Sequence, residues 1–461
     1  MLDERYYSSQ STSTIVQMRC LIHAAMRSNH IHAFRTFLHI FVRKGTLRRY
    51  AAWLLAGIRI CLPCSVEAQT SHSAQRHTSQ TNTSTNTSTQ APPAQAHIST
   101  TTPSSSTQSH QQPVSFDFSP LEKIVRDSLH RFDGGCALVL MHDGKIVYER
   151  AFGVMTLDSV MPIASASKWL AAAVLMTFVE EGKISLDDPA SKYLRYLTGT
   201  KAKITIRQLF SHTSGFAGEI PAMRDMKLTM KDAAYRISTE PLVYPSGMNF
   251  AYGGASMQLG GRILEIVGGK PFEQLFQERI AQPLGMRNTS FYGLGKTQNP
   301  LLAGGAKSTA REYMRFLQML QNKGMWYSRH PRRILSESSI AAMHSNQAGF
   351  VPILRRLQST SANLTLTSEL ANYGLGIWRV SPTPTPSEDM IEVSSQGRFG
   401  FSPWLDARRN LVGILATYTP QARMQATYKR IKQALREIIP PAFPPLTLQK
   451  VQPLSGLEKK R

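Results

Sequence analysis

The chain has 461 residues, room for one large or two ordinary domains, and its 42% apolar content suits a globular protein with a sizeable core. Basic residues outnumber acidic ones by 53 to 30, a formal net charge of +23, which admits nucleic acid, an anionic cell surface or acidic substrates as partners. No nucleic-acid recognition motif and no paired metal-ligand spacing accompany the charge, so a solvated basic surface is the reading, with no nucleic acid among the partners.

In chain order, Arg43-Lys44 and Arg48-Arg49 precede an apolar stretch from Tyr50 to Leu62 and then Val66-Glu67-Ala68, the arrangement of a secretory leader. Arg59 interrupts that stretch, which falls short of the ~20 apolar residues a membrane-spanning helix needs. Residues 1–68 are therefore expected to be an N-terminal arm and export signal, placing the body in the periplasm, at the cell envelope or outside. Three of the four cysteines (Cys20, Cys61, Cys64) lie in this arm, leaving Cys136 alone and excluding a disulfide framework. Residues 69–115 are dominated by Ser, Thr, Gln, Asn and Pro, with little to bury, and read as a flexible tether.

Order is expected from Phe116, in a domain spanning 116–440 and followed by a Pro-rich basic tail at 441–461. Leu121 to Phe132 reads as an amphipathic helix; Cys136 to Met141 and Lys145 to Ala151 read as strands joined at the hairpin turn Asp143-Gly144. An apolar helix follows from about Ser165 to Gly182, then helices at Ile206 to Ser211, Ala255 to Val267, Phe272 to Ile280, Thr309 to Asn322 and Glu337 to His344. Strands return at Tyr373 to Val380, Ile391 to Ser395, Phe399 to Leu405 and Leu411 to Tyr418, before a last helix from Tyr428 to Ile439. Strands, many helices, then strands imply an α+β fold. Its antiparallel sheet is built from both ends of the domain, with a helical insertion between.

Ser165-Ala166-Ser167-Lys168 is the only S-x-x-K in the chain, and from Trp169 to Val179 the sequence carries no charge. A lysine in the first turn of a helix is electrostatically misplaced, because the exposed N–H groups there favour carboxylates by about 0.3–1 kcal/mol. A serine three residues before it lies on the same helix face, within reach of its amine. An amine that loses its proton in apolar surroundings can take the serine's proton and leave a nucleophile. Serine is also a common N-cap, but a capping box wants Glu or Gln where Lys168 stands.

The order of further landmarks resembles the serine beta-lactamase and penicillin-binding-protein superfamily, in particular its class C-like branch with esterases and D-aminopeptidase-like hydrolases. The resemblance runs from about Phe118 to Ile439. It rests on the Ser165 helix, Gly182-Lys183-Ile184-Ser185-Leu186-Asp187-Asp188-Pro189, Leu209-Phe210-Ser211-His212-Thr213-Ser214-Gly215, Tyr244-Pro245-Ser246-Gly247, Pro283-Leu284-Gly285-Met286 and Tyr373-Gly374-Leu375-Gly376.

The resemblance implies a beta-lactamase/transpeptidase-like fold and three catalytic elements. Ser165 would be the acyl-accepting nucleophile, with Lys168 helping to deprotonate it. Tyr252-Gly253-Gly254 aligns with Y-x-N, so Tyr252 would act as base and acid, while Gly254 replaces an asparagine amide that binds a substrate amide in relatives. Ser395-Gln396-Gly397 aligns with K-T-G or H-x-G, lacking the cation, for which nearby Arg398 would substitute. The backbone N–H groups of Ser165 and Arg398 would form the oxyanion hole.

His212, within Ser-His-Thr-Ser-Gly, belongs by resemblance to a structural turn, and no G-x-S-x-G elbow supports a triad. The chemistry implied is an exported serine hydrolase using an acyl-enzyme without metal or cofactor. Its substrate would be a small ester rather than a beta-lactam or peptide. A cell-wall D-amino-acid peptidase near an anionic envelope, or a non-catalytic binding protein with a degenerate cleft, are the alternatives. The stretches Ala217 to Val243 and Gln347 to Asn372 are expected to shape the pocket.

Overall fold

Asp143 and Gly144 both adopt positive φ (47° and 74°), the two-residue turn whose twist suits paired strands, and they join β1 (Gly135–His142) to β2 (Lys145–Gly153). In this computed structural model, which describes residues 115–356, 364–381 and 390–442, four later strands complete the sheet. They are β3 (Trp378–Val380), β4 (Glu392–Ser394), β5 (Ser402–Asp406) and β6 (Leu411–Ala416), and the order across the sheet is β2-β1-β6-β5-β4-β3. Every pairing is antiparallel, so the sheet is drawn from both ends of the domain as the sequence implies. The expected arm, leader and tether (all but Ser115) and the tail beyond residue 442 lie outside the described residues.

Successive residues of β1 point to opposite faces, and both faces are covered. Cys136, Leu138 and Leu140 pack with α1 (Ser119–Asp127) and α9 (Gln421–Ile438). Ala137, Val139 and Met141 pack into the larger core formed by the helical insertion. That is why β1 reads as a continuous apolar run rather than an alternating one.

At the centre of the larger core lies α2 (Ser167–Glu180), buried on all sides from Ser167 to Phe178. Burying each of its large apolar side chains contributes about 1.5–3 kcal/mol, which fixes the helix and the residues at its start. Around it stand α3 (Ile206–Phe210), α4 (Met230–Thr239), α5 (Ala255–Gly268), α6 (Phe272–Phe276), α7 (Ala310–Gln321) and α8 (Glu337–His344). Thr205, Thr229, Thr309 and Ser336 cap α3, α4, α7 and α8 through their side-chain oxygens.

Several boundaries differ from the sequence expectation. The strand expected from Tyr373 begins only at Trp378, because Gly374 N donates to Ile377 O at 3.0 Å and Gly376 turns at φ 74°. The last helix starts at Gln421, seven residues early, directly after Pro420, whose fixed φ suits a helix start. The stretch 217–243 contains α4, and 347–372 contains a hairpin of Pro352–Arg356 with Leu364–Leu370. No helix among the described residues is long and apolar enough to cross a membrane.

Candidate active site

The chain enters α2 through a 3-10 turn, Ala164–Ala166, so Ser165 stands just before the α-helix rather than in it. Ala164 takes a left-handed conformation (φ 46°), which costs an alanine about 1–2 kcal/mol. A set of hydrogen bonds holds this turn. Ser167 Oγ donates to Ala164 O at 2.6 Å and accepts from Ala306 N at 3.0 Å, while Tyr313 Oη donates to Ala166 O at 2.8 Å. Ile163 N donates to Ala306 O at 2.9 Å. Strain of this kind, over-determined by its surroundings, presents the Ser165 side chain at the positive end of a buried helix.

Lys168 is 3% exposed, and its amine sits 3.3 Å from Ser165 Oγ. Two further contacts fix it: Nζ donates to Ala303 O at 2.7 Å and lies 4.5 Å from the centre of the Tyr252 ring. No carboxylate pairs with Lys168 among the described residues. Tyr252 is itself held in a cage of rings, stacked on Trp378 at 5.4 Å and against His212 at 5.0 Å. Thus the three residues expected to carry the chemistry, from two segments more than eighty positions apart, meet at one place.

These residues line a cleft of about 460 Å3, within the range of small-molecule sites. One wall is apolar, with Met223, Leu294, Leu301 and Ala303; the other carries Ser394, Gln396, Arg398 and Gln421. Of the stretch 217–243, Glu219, Met223 and Arg224 border the cleft. Among the described residues of the stretch 347–372 none lines the cleft, so for that part the expectation that it shapes the pocket is corrected; residues 357–363 lie outside the described residues. Its hairpin instead packs Ile353 against Phe250 and Tyr373, behind the Tyr252 cage.

The third element is divided in its roles. Gln396 and Arg398 face the cleft, but Ser395 is 2% exposed and turns inward. Its hydroxyl lies 2.9 Å from Ser165 O and 3.2 Å from Gly376 O, tying β4's end to the nucleophile turn. Gly397 is needed for close approach, since a Cβ there would stand 2.2 Å from Ile163 O. The approach is to the chain leading into Ser165, not to a ligand. Gln421, at the start of α9, donates from Nε2 to Gln396 Oε1 at 2.6 Å.

Gly254 is the N-cap of α5, and no side chain fits there. A Cβ would meet Ala303 Cβ at 2.9 Å and the Met223 thioether at 3.1 Å. The sequence announces none of Met223, Ala303, Ser167 or Tyr313 as site residues. A backbone carbonyl has no sequence signature, and a methionine in an irregular loop reads as packing.

His212 is buried at φ 60° in its turn, with Nε2 3.3 Å from Tyr373 Oη and Nδ1 without a partner. Burial, reinforced by the Lys168 charge, holds its imidazole well below the ordinary 6.5. His344 is likewise held down to about 3 by burial and Arg379. Both therefore bind a proton in the unfolded chain more readily than in the folded one. Their stabilisation is full above about pH 6.5 and is lost as pH falls towards the folded values, at about 1.4 kcal/mol per pH unit for each. Urea unfolding at pH 7 and pH 5 should show this loss, and His344→Gln should remove about one proton from the slope. An unchanged slope would contradict the buried neutral imidazole. No cluster of His, Cys, Asp or Glu suited to a metal ion occurs among the described residues.

The beta-lactamase family profile matches residues 122–436, well over half of the chain. The chain belongs to the beta-lactamase family. This serine hydrolase is 31% identical to a candidate beta-lactamase from Bacteroides dorei DSM 17855, whose solved structure superimposes with a TM-score of 0.61 over 70% of this chain and 99% of that one. EstCE1, a hydrolase with promiscuous acyltransferase activity, shares the fold at 20% identity and a TM-score of 0.56, covering 68% of this chain and 97% of its own. Among curated relatives, the D-alanyl-D-alanine-carboxypeptidase/endopeptidase AmpH of Escherichia coli K12 is 30% identical over 245 residues, 45% of this chain and 63% of AmpH. Esterase EstB of Burkholderia gladioli is 29% identical over 190 residues, 35% of this chain and 47% of EstB. The matches thus span less than two thirds of these curated relatives.

Proposed function

We propose that this beta-lactamase-family hydrolase cleaves small esters through an acyl-enzyme on Ser165. The observation that carries the reading is the buried Lys168 amine, 3.3 Å from Ser165 Oγ at the floor of the cleft. Ser165 Oγ attacks the ester carbonyl while Lys168 accepts its proton, and the N–H groups of Ser165 and Arg398 hold the oxyanion. Collapse of the tetrahedral intermediate breaks the bond to the leaving alkoxide, which takes a proton relayed from Lys168 by Tyr252. Water then attacks the acyl-enzyme and releases the acid.

An ester is favoured over a peptide or beta-lactam for two reasons. The apolar wall beside Gly254 offers no side-chain amide, and Ser395 is turned away from the cleft. Residues 1–68 as an export signal and 69–115 as a tether complete the reading, with the basic surface placed near an anionic envelope. The similarity to AmpH favours a second reading, a cell-wall peptidase, in which Arg398 at the exposed rim receives a substrate carboxylate.

A fluorophosphonate probe applied to the full-length protein, followed by peptide mass spectrometry, should place the adduct on Ser165. A folded protein without that adduct sinks the nucleophile assignment. Short-chain nitrophenyl esters should then be turned over faster than a chromogenic cephalosporin or a D-Ala-D-Ala peptide; the reverse order selects the peptidase or lactamase reading.

A further inference from the structure

The apolar wall of the cleft is a built feature. Met223 lies on the turn Pro221–Arg224, and that turn is clamped to α5 by buried amides. Asn299 Nδ2 donates to Ala222 O at 3.1 Å and to Asp225 O at 3.0 Å, and Gln258 Nε2 of α5 donates to Asn299 Oδ1 at 2.6 Å. Gln258 and Asn299 are 0% and 2% exposed, so the clamp is out of water's reach. Such a satisfied buried network rigidifies what it holds. Met223 borders the cleft yet has no exposed surface, and so closes the wall rather than projecting from it.

We propose that Met223 is the specificity-determining residue of this cleft. Its thioether fills the place beside Lys168 and Tyr252 into which a side chain at position 254 would project, and so limits the acyl arm to short, apolar groups. This rests on the ester-hydrolase reading of Ser165. An amide placed on this wall would give up water and meet the Met223, Leu301 and Ala303 side chains, none of which donates a hydrogen bond. The Ala303 carbonyl is already taken by Lys168. A buried polar group left unpaired costs roughly 5- to 150-fold in recognition. Residues 223 and 254 are therefore coupled, because the Met223 thioether, 3.1 Å from a Cβ at 254, shares with Ala303 Cβ at 2.9 Å the space a side chain there would need, and a smaller residue at 223 releases the larger part of it.

The test uses full-length protein and three nitrophenyl esters that share a leaving group and differ in the acyl arm: butyrate, octanoate and N-acetylalaninate. For each variant kcat/KM is expressed relative to butyrate, with folding checked by thermal melting. Met223→Ala should raise the octanoate ratio about tenfold over wild type by opening the wall. The double variant Met223→Ala/Gly254→Asn should raise the N-acetylalaninate ratio by a similar factor, whereas Gly254→Asn alone should melt earlier and gain no selectivity. If the octanoate ratio of Met223→Ala equals that of wild type, the proposal is overturned, whether or not the double variant folds. An equal gain in Gly254→Asn alone overturns the coupling. Wild-type protein inert toward all three esters is a separate outcome, which removes the hydrolase reading beneath it.

Discussion

Ser165→Ala should remove ester turnover by a factor on the order of 10^4 or more while the protein still folds. The fold is expected to survive because Ser165 Oγ meets only the Lys168 amine, which keeps its bond to Ala303 O and its place on the Tyr252 ring. Lys168→Met should be nearly as inactive. It replaces a polar amine, buried without a carboxylate partner among the described residues, by an apolar side chain of similar length, so its melting temperature should be equal to or above that of wild type. This combination separates chemistry from stability: a purely structural lysine would cost melting temperature when removed. His212→Ala supplies the control. The ring is neutral, packs on the Tyr252 cage and has no place in proton transfer, so its loss should lower stability and leave substantial turnover. A folded His212→Ala variant as inactive as Ser165→Ala would refute that assignment.

The second large effect lies on the other face of the sheet. Lys432 of α9 and Glu392 of β4 form an ion pair at 2.8 Å, each side chain about one tenth exposed, with the Lys432 amine 4.2 Å above the Trp404 ring. Burial holds the Lys432 amine below its ordinary value even with Glu392 beside it. Removing one partner leaves an uncompensated buried charge, which costs about 3–5 kcal/mol. Lys432→Met should therefore melt roughly 10 °C lower. Adding Glu392→Leu should restore most of that loss, since an apolar pair replaces the charges. Equal melting temperatures for the single and double variants would mean that the pair is not effectively desolvated. Because Glu392 lies two residues before Ser394, which lines the cleft, Lys432→Met is also expected to reduce activity more than the double variant does.

Sequence and structure divide the determination of this protein along a physical line. Local pattern carries what depends on near neighbours. The uncharged run after Lys168 specifies a helix buried on all sides, Asp143-Gly144 specifies the hairpin, and strands at both ends of the domain specify the antiparallel sheet. The pairing of Ser165 with Lys168 is likewise local, three residues along one chain. What the pattern could not carry are contacts made across the chain. Ala303 reaches Lys168 over 135 positions and Ser395 reaches Ser165 over 230.

Ser395 looked like a cleft residue because motif alignment locates a position but not the direction of its side chain. The described part of the stretch 347–372 lies behind the Tyr252 cage rather than in the pocket wall, because length and irregularity do not say which side of a cage a loop covers. Gly254 was visible as a missing amide, but the side chains filling its place were not. Sequence alone carried the α+β order of elements in its periodicity and the serine-lysine pair in short spacing, while the family was legible only through the resemblance of its ordered landmarks. Only the tertiary structure decided which groups face the cleft and which support it, because that depends on packing between residues that sequence distance keeps far apart.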